Sequence, residues 1–165
     1  MQQKETTNDR DLTDVSTVPA AGRIIALDPG TKRIGVAVCD ELRITTRPLD
    51  LITRESWKKL LLTVKNVVSE FDAAALVIGL PLESDGGESP MSTFARDIAR
   101  KFALSLEIPV YLQDERVTSY EAKSRLWQRG IDPRDARKLV DSEAASIILA
   151  DFLSRLPAAK TDTSQ

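Results

Sequence analysis

The chain has 165 residues and a net charge of −2; 42% of its residues are hydrophobic and 29% are charged, values that are ordinary for one soluble globular domain. It contains no histidine and a single cysteine, Cys39. This composition excludes Ser-His-Asp and Cys-His nucleophiles, imidazole acid–base catalysis, and zinc sites built from histidine or several cysteines. Carboxylates, lysine, tyrosine, serine and bound metal remain as means of catalysis.

The two ends of the chain are polar and lack hydrophobic periodicity. Residues 1–20 and 157–165 are therefore predicted to be disordered tails around one domain, residues 21–156. The first tail has no apolar stretch typical of a signal peptide, and no run of the chain is long enough to cross a bilayer, so we expect a cytoplasmic protein. The same tail carries the whole net charge, so any surface that binds phosphate must be a local patch.

The first part of the domain predicts three antiparallel strands. Residues 23–28 form a compact apolar run typical of a buried strand, and residues 34–39 form a second one. The intervening residues 29–32, Pro-Gly-Thr-Lys, have turn chemistry, so the two strands are expected to form a hairpin. A weaker extended stretch around residues 43–46 predicts a third strand beside them.

Helices and short strands alternate in the middle of the domain. Apolar residues recur at helical spacing over residues 55–71, and a second helix is expected over about 90–106. Short apolar runs at 73–78 and 109–112 are typical of buried parallel strands.

Two further helix starts follow. Thr118 and Glu121 fit a capping box that begins one helix. Asp132 and Pro133 are typical of the start of the last helix, which we expect to run to about Leu156. The order β-β-β-α-β-α-β-α-α predicts an α/β fold of three layers, with a mixed five-stranded sheet and helices on both faces.

Acidic residues close two of the predicted strands. Asp28 ends the first strand, where ligands gather in open α/β sheets, although it would also suit the turn that follows. Asp114 and Glu115 end the last strand, and because side chains alternate along a strand, only one of the two can face the same crevice as Asp28. The alternative for this pair is an acid at a helix start.

Asp141 lies within the last predicted helix. Helical spacing places it on an apolar stripe with Ala145, Ile148 and Phe152. A carboxylate on a packed face costs free energy unless it is paired or bound to metal; the alternative is that the helix begins here and Asp141 caps it. Acids from two strand ends and this helix can converge on two Mg²⁺ or Mn²⁺ ions about 3.5–4 Å apart.

Basic residues form two candidate groups for binding phosphate. Lys32 and Arg33 follow the first strand, and the segment 123–138 holds six basic residues against two acidic ones. Arg137 and Lys138 of that segment precede Asp141 by four and three residues, so they are either its ion-pair partners or contacts for phosphate. For each group, a solvated surface is an equal alternative.

Four segments of the sequence resemble the YqgF family, also called RuvX, and occur in the family's order. They are Ala26–Val38, Val77–Leu82, Asp114–Thr118 with Glu121-Ala122, and Val140–Ala145. The resemblance implies an RNase H-like fold. It also implies an acidic metal site made of Asp28, Asp141 and one acid of the Asp-Glu-Arg motif, for which Glu115 is preferred and Asp114 is the alternate.

Members of the family are implicated in trimming the 5′ end of precursors of small-subunit ribosomal RNA, and some in resolving Holliday junctions. The sequence departs from the family's usual pattern at Cys39, at Glu83-Ser84 in the loop after the Val77–Leu82 motif, and at Val117 and Ser119. None of these departures removes a carboxylate. The loop change is expected to alter contacts with the substrate and not the metal site.

These observations lead to the hypothesis of an endonuclease that hydrolyses phosphodiester bonds with Mg²⁺ or Mn²⁺. In it Asp28 bridges two ions, and Glu115 and Asp141 each hold one. Lys32 and Arg33 contact phosphates near the scissile bond, and Arg116 either orients the acids or binds phosphate.

The expected role is processing of the 5′ end of pre-16S rRNA in ribosome biogenesis, with nucleic acid and ribosomal precursor particles as partners and no membrane. The alternatives are a Holliday junction resolvase, a non-catalytic nucleic-acid-binding assembly factor, and a sugar-kinase-like ATPase, for which the chain is too short. Either a monomer or a homodimer is compatible with the sequence, although symmetric cleavage of a junction needs two active sites and hence a dimer.

Overall fold

A computed structural model of the protein describes residues 12–115 and 133–157, with the backbone alone for residues 133–142. The elements follow the order expected from the sequence. They are β1 (Arg23–Pro29), β2 (Arg33–Cys39), β3 (Thr46–Thr53), α1 (Trp57–Phe71), β4 (Ala73–Leu80), α2 (Pro90–Ser105), β5 (Val110–Asp114) and α3 (Pro133–Ser154). The helix expected to begin at Thr118 lies outside the described residues.

The strands form one five-stranded sheet in the order β3-β2-β1-β4-β5. β1, β2 and β3 pair antiparallel, whereas β4 and β5 extend the sheet from β1 in parallel. The mixed sheet expected from the sequence is therefore confirmed. The carboxyl ends of β1, β4 and β5 lie at the same edge of the sheet, because these three strands run in the same direction.

Helices cover both faces of the sheet, as expected. Because side chains alternate along each strand, Leu27 of β1 packs into the cluster beneath α1 and α2, together with Phe102. Its neighbour Ala26 packs into the cluster beneath α3, together with Leu149 and Phe152. Burying each of the large apolar side chains contributes about 1.5–3 kcal/mol to folding.

The third strand lies later in the chain than the sequence predicted. Instead of the extended stretch 43–46, the structure has a turn in which the Asp40 carboxylate accepts hydrogen bonds from the backbone N–H of Ile44 and of Thr45, at 2.7 and 2.8 Å. Arg43 in this turn has a left-handed backbone with φ of 58°. The prediction was wrong because these short-range hydrogen bonds favour a turn over a strand.

Residues 12–20, which belong to the predicted first tail, contact the domain. Residues 12–20 are not a disordered extension: residues Val15–Thr17 form a short 3₁₀ helix, and Leu12 is only 3% exposed. The Thr17 hydroxyl lies 3.0 Å from the Tyr111 hydroxyl on β5. These contacts attach residues 12–20 to the domain. Residues 1–11 and 158–165 lie outside the described part of the chain.

In the part of the chain that the structure describes, none of the helices is both long enough and apolar enough to cross a membrane.

Candidate active site at the carboxyl end of the parallel strands

Two of the predicted acids meet at the carboxyl end of the sheet. Asp28 is the penultimate residue of β1, and Glu115 directly follows β5. Their side chains are hydrogen-bonded to each other. The two strands are not neighbours, because β4 lies between them, so their backbones are separated by two strand spacings, roughly 10 Å.

A glycine in β4 makes this meeting possible. Leu27 pairs with Ile78 in the sheet, so Gly79 lies level with Asp28 on the neighbouring strand. A Cβ atom on Gly79 would collide with the Glu115 carboxylate and would lie 2.6 Å from Cδ1 of Ile148 on α3. The missing side chain therefore leaves the space through which Glu115 reaches over β4 toward Asp28.

The sheet register separates Glu115 from Asp114. Asp114 pairs with Leu80, a residue of the core beneath α1 and α2. Gln113 pairs with Gly79, and the alternation of side chains gives Glu115 the same face as Gln113. The structure thus brings Glu115 alongside Asp28 on the face covered by α3, and directs Asp114 to the opposite face.

The surroundings of Glu115 disfavour its charged form. Removal from water raises its pKa most; the negative charge of Asp28, the hydrogen bond with Asp28 and the charge of Asp114 raise it further, to about 10. The two carboxyl groups therefore share a proton near neutral pH when no cation is present.

The third predicted acid, Asp141, lies in α3, but its side chain is outside the described residues. Among the residues whose side chains are described, no group of three or more possible metal ligands lies together. Asp141 precedes Ile148, the residue beside Gly79, by seven positions. Seven residues are close to two turns, so helical spacing puts Asp141 and Ile148 on the same side of α3.

The predicted phosphate contacts are described only in part. Lys32 lies exposed in the turn between β1 and β2, and Arg33 begins β2 opposite Thr53. Arg116 lies outside the described residues. Arg137 and Lys138 belong to α3, but their side chains are not described.

The loop after β4 forms the rim of this edge of the sheet, and it is held by its own contacts. The Ser89 hydroxyl donates to the Pro81 carbonyl at 2.8 Å. Glu88 accepts a hydrogen bond from the Ser92 hydroxyl and pairs with Arg96 at 2.7 Å. The hydrogen bond from Arg96, and to a smaller extent the one from Ser92, lowers the pKa of Glu88. The loop is therefore fixed to the start of α2.

Two features of the site were missed in the sequence. Gly79 interrupts an apolar strand, and a glycine at such a position is itself a sign of close approach by another group. Gln113 is 8% exposed on the Asp28 face, and its Oε1 accepts a hydrogen bond from Arg155 at 2.5 Å. No pattern in the sequence indicates this pairing, because 42 positions separate the two residues.

Cys39, one of the departures from the family pattern, belongs to the core and not to this site. It ends β2, at the opposite end of the sheet from Asp28, and is 2% exposed. Its sulfur accepts a hydrogen bond from the Ile24 N–H at 3.1 Å. Burial raises the pKa of the Cys39 thiol.

The sheet order, the helices on both faces and the acids at the ends of β1 and β5 define an RNase H-like fold. A solved structure supports this class: the RuvC of T. thermophilus in complex with a Holliday junction substrate superposes with a TM-score of 0.51 at 18% identity, covering 83% of this chain and 98% of that one.

Sequence comparison then gives the family. A sequence model of the family described as "RuvX: Holliday junction resolvase" matches residues 22–155. A protein of Anaeromyxobacter dehalogenans (strain 2CP-C), named "Putative pre-16S rRNA nuclease", is 41% identical over 81% of this chain and 97% of its own length. A protein of Syntrophus aciditrophicus (strain SB) with the same name is 40% identical over 81% of this chain and 89% of its own. The chain belongs to the RuvX family, which is a family of nucleases.

Proposed function

We propose that this protein is a metal-dependent endonuclease that processes the 5′ end of pre-16S rRNA in the cytoplasm, on ribosomal precursor particles. The observation that carries the proposal is the direct contact between Asp28 and Glu115 at the carboxyl end of the parallel strands. In open α/β sheets this edge is where ligands bind.

The chemistry of the two carboxyl groups suits a divalent cation. Both groups offer oxygen ligands, which Mg²⁺ and Mn²⁺ prefer. With both ionised, their charges repel each other in a partly buried place, and a cation between them would remove that repulsion. Binding of the ion would therefore release the proton that the pair holds in its absence.

In the proposed site, the acids would bind the metal ions and Lys32 would bind a phosphate. Asp28 would bind two ions, and Glu115 and Asp141 would each bind one; Asp114 is the alternate to Glu115, but its side chain lies on the other face of the sheet. Bound divalent ions supply the chemistry of making water a usable nucleophile near neutral pH and stabilising the leaving oxygen. Lys32, exposed in the turn four residues after Asp28, would hold a phosphate near the scissile bond.

Arg33, Arg116, Arg137 and Lys138 remain proposed contacts for nucleic acid. Arg33 is placed at the start of β2, close in sequence to Asp28, and this supports its role. For the other three, the support is the basic character of the segments that hold them.

The names of related proteins support two candidate substrates. The names of the two bacterial proteins at about 40% identity support precursor rRNA. The description of the family supports a second candidate, the Holliday junction. The two differ in what they require, because symmetric cleavage of a four-way junction needs two active sites and hence a dimer.

A cleavage assay with the full-length protein tests the proposal. A pre-16S rRNA leader and a four-way DNA junction are incubated in Mn²⁺ or in EDTA with the wild type, Asp28→Asn and the control Asp50→Asn, which alters an exposed acid on β3. We expect cleavage of the leader in Mn²⁺ alone, lowered at least ~10²-fold by Asp28→Asn, because the loss of a metal ligand costs several kcal/mol of transition-state stabilisation. The control is expected to cleave like the wild type.

Each other outcome identifies an alternative. Cleavage of the junction in preference to the leader would favour the resolvase. Equal binding of RNA in Mn²⁺ and in EDTA with no cleavage would favour a non-catalytic assembly factor. Full activity of Asp28→Asn would reject the proposed metal site.

A further inference from the structure

An arginine that no sequence pattern singles out lies beside the turn that follows Asp28. Arg54 directly follows β3, and its guanidinium carbon lies 3.5 Å from the centroid of the Phe94 ring on α2. Both side chains are partly buried, and Phe94 packs against the core beneath α1 and α2. Stacking of this kind fixes the plane of the guanidinium and leaves its edge available.

Backbone contacts hold Arg54 against the turn between β1 and β2. Its N–H donates to the carbonyl of Lys32 at 2.9 Å. Its side-chain Nη1 lies 3.5 Å from the carbonyl oxygens of Gly30 and of Thr31, a distance at which a hydrogen bond is weak. Gly30 is only two residues after Asp28, so their Cα atoms are at most about 7 Å apart.

The positive charge of Arg54 is not neutralised within the described part of the chain. No carboxylate there lies within 4.0 Å of its guanidinium, and its Nε and Nη2 have no hydrogen-bond partner among the same residues. The adjacent acid, Glu55, pairs with Lys59 at 3.0 Å instead. Arg96 differs in this respect, since it is paired with Glu88 at 2.7 Å.

We propose that Arg54 binds a phosphate of the nucleic-acid backbone that flanks the scissile one, as a positioning residue that Phe94 holds in place. This inference rests on the proposed nuclease function and adds a contact that the sequence did not indicate. A fixed guanidinium with unused N–H groups matches the paired oxygens of a phosphate. The phosphate is a flanking one because Arg54 contacts α2, whereas alternation along β1 places the Asp28 side chain, like that of Ala26, on the face covered by α3.

The chain provides a matched control at the other end of β3. Arg47 also lies over a phenylalanine, with its guanidinium carbon 5.4 Å from the centroid of Phe71. Seven residues of extended chain separate it from Arg54, or roughly 23 Å. Arg47→Gln therefore removes the same charge and the same kind of stacking, but far from Asp28.

The test measures binding without cleavage. Fluorescence anisotropy with a short fluorescein-labelled single-stranded RNA is recorded in EDTA over a series of salt concentrations, with the full-length wild type, Arg54→Gln and Arg47→Gln. We expect Arg54→Gln to weaken binding about tenfold and to reduce the slope of log affinity against log salt by ~0.7, the value for one lost phosphate contact on a single strand. Arg47→Gln is expected to leave both unchanged.

Two more variants separate phosphate binding from a structural role. Arg54→Lys keeps the charge and is expected to keep the salt slope while losing part of the affinity. Phe94→Leu also keeps the charge, so it is expected to weaken binding without changing the slope. Neither pattern would follow if Arg54 only supported the turn.

The outcomes distinguish this inference from the proposed function. Equal affinity and equal salt slope for Arg54→Gln and the wild type would overturn the inference alone. The inference would also be overturned if Arg54→Lys lost as much affinity and as much salt slope as Arg54→Gln. A wild-type protein that binds no RNA would overturn the proposed function together with it.

Discussion

Asp40 and Glu115 are both acids that directly follow a strand, but they lie at opposite ends of the sheet and in opposite surroundings. Asp40 follows β2, where the N–H groups of Ile44 and Thr45 donate to its carboxylate and lower its pKa. Glu115 follows β5, where removal from water and the Asp28 carboxyl group raise its pKa. The same position after a strand therefore gives Asp40 a carboxylate whose charge is satisfied by hydrogen bonds, and gives Glu115 a carboxyl group whose charged form is disfavoured.

The difference lies in how far along the chain each partner is found. The partners of Asp40 are four and five residues away, within the same turn. The partners of Glu115 come from β1, β4 and α3, so its surroundings exist only in the folded domain. Carboxylates with raised pKa values in such assembled places are candidates for function, whereas those satisfied within a turn are structural.

The largest expected effect comes from removing the charge of Glu115. Glu115→Gln is expected to lower kcat/KM for cleavage of the pre-16S leader in Mn²⁺ at least ~10²-fold, since the amide is a poor replacement for a metal-binding carboxylate. Asp40→Asn, the same change at the other end of the sheet, is expected to leave cleavage unchanged.

Asp114→Asn is the second control in this experiment, because Asp114 precedes Glu115 but faces the other side of the sheet. It is expected to lose much less activity than Glu115→Gln. A larger loss for Asp114→Asn would make Asp114 the metal ligand and would mean that β5 changes its register when the ion binds.

A smaller effect is expected from closing the space beneath Glu115. In Gly79→Ala the new methyl group meets the Glu115 carboxylate and Ile148, so we expect a loss of about 1–3 kcal/mol in the free energy of unfolding, as for other overpacked sites. Cleavage is expected to fall as well, because Glu115 must move away from Asp28.

Gly87→Ala is the matched control in urea unfolding, because its methyl group would meet only the exposed Asp85 side chain, at 3.0 Å. It is expected to change stability little. If Gly79→Ala were as stable and as active as Gly87→Ala, Glu115 would be able to reach Asp28 by another path, and the glycine would not be required.

The sequence was sufficient for features that depend on neighbouring residues. The bounds predicted for β1 and β2 differ from the structure by one residue each, because apolar runs and the Pro-Gly turn determine them locally. The failure at β3 has a local cause too: Arg43 adopts a left-handed backbone, which a residue with a side chain seldom does, so the turn was not expected. β3 contains Pro48, which is tolerated because the strand is at the sheet edge.

The sequence pattern predicted which strands carry the acids of the candidate site, but it did not decide which acid at the end of β5 faces Asp28. Position at strand ends made Asp28 and the pair Asp114-Glu115 candidates, and the family resemblance gave the preference for Glu115. The choice within the pair depends on the register between β4 and β5, which pairs Gln113 with Gly79. Register results from packing across the whole sheet, so no local pattern carries it. The stacking of Arg54 on Phe94 was missed for the same reason.

The last contrast between the two acids is in the pH dependence of stability without metal, which has opposite signs for them. For Glu115 the pKa rises from its ordinary value of 4.5 to about 10 on folding. Between these values the folded protein holds a proton that the unfolded chain has lost, so stability falls as the pH rises. The pKa of Asp40 lies below its ordinary 3.8 in the folded protein, so its contribution is complete above that pH and is lost only in acid.

Melting temperatures in EDTA from about pH 5 to about pH 9 test this contrast, because this window lies between the unfolded and folded pKa values of Glu115 and above both pKa values of Asp40. The wild type and Asp40→Asn are expected to lose stability relative to Glu115→Gln as the pH rises. Mn²⁺ is expected to remove the difference, since the ion replaces the shared proton between Asp28 and Glu115. Parallel pH curves for wild type and Glu115→Gln in EDTA would mean that Glu115 is already ionised without metal, which would contradict its raised pKa.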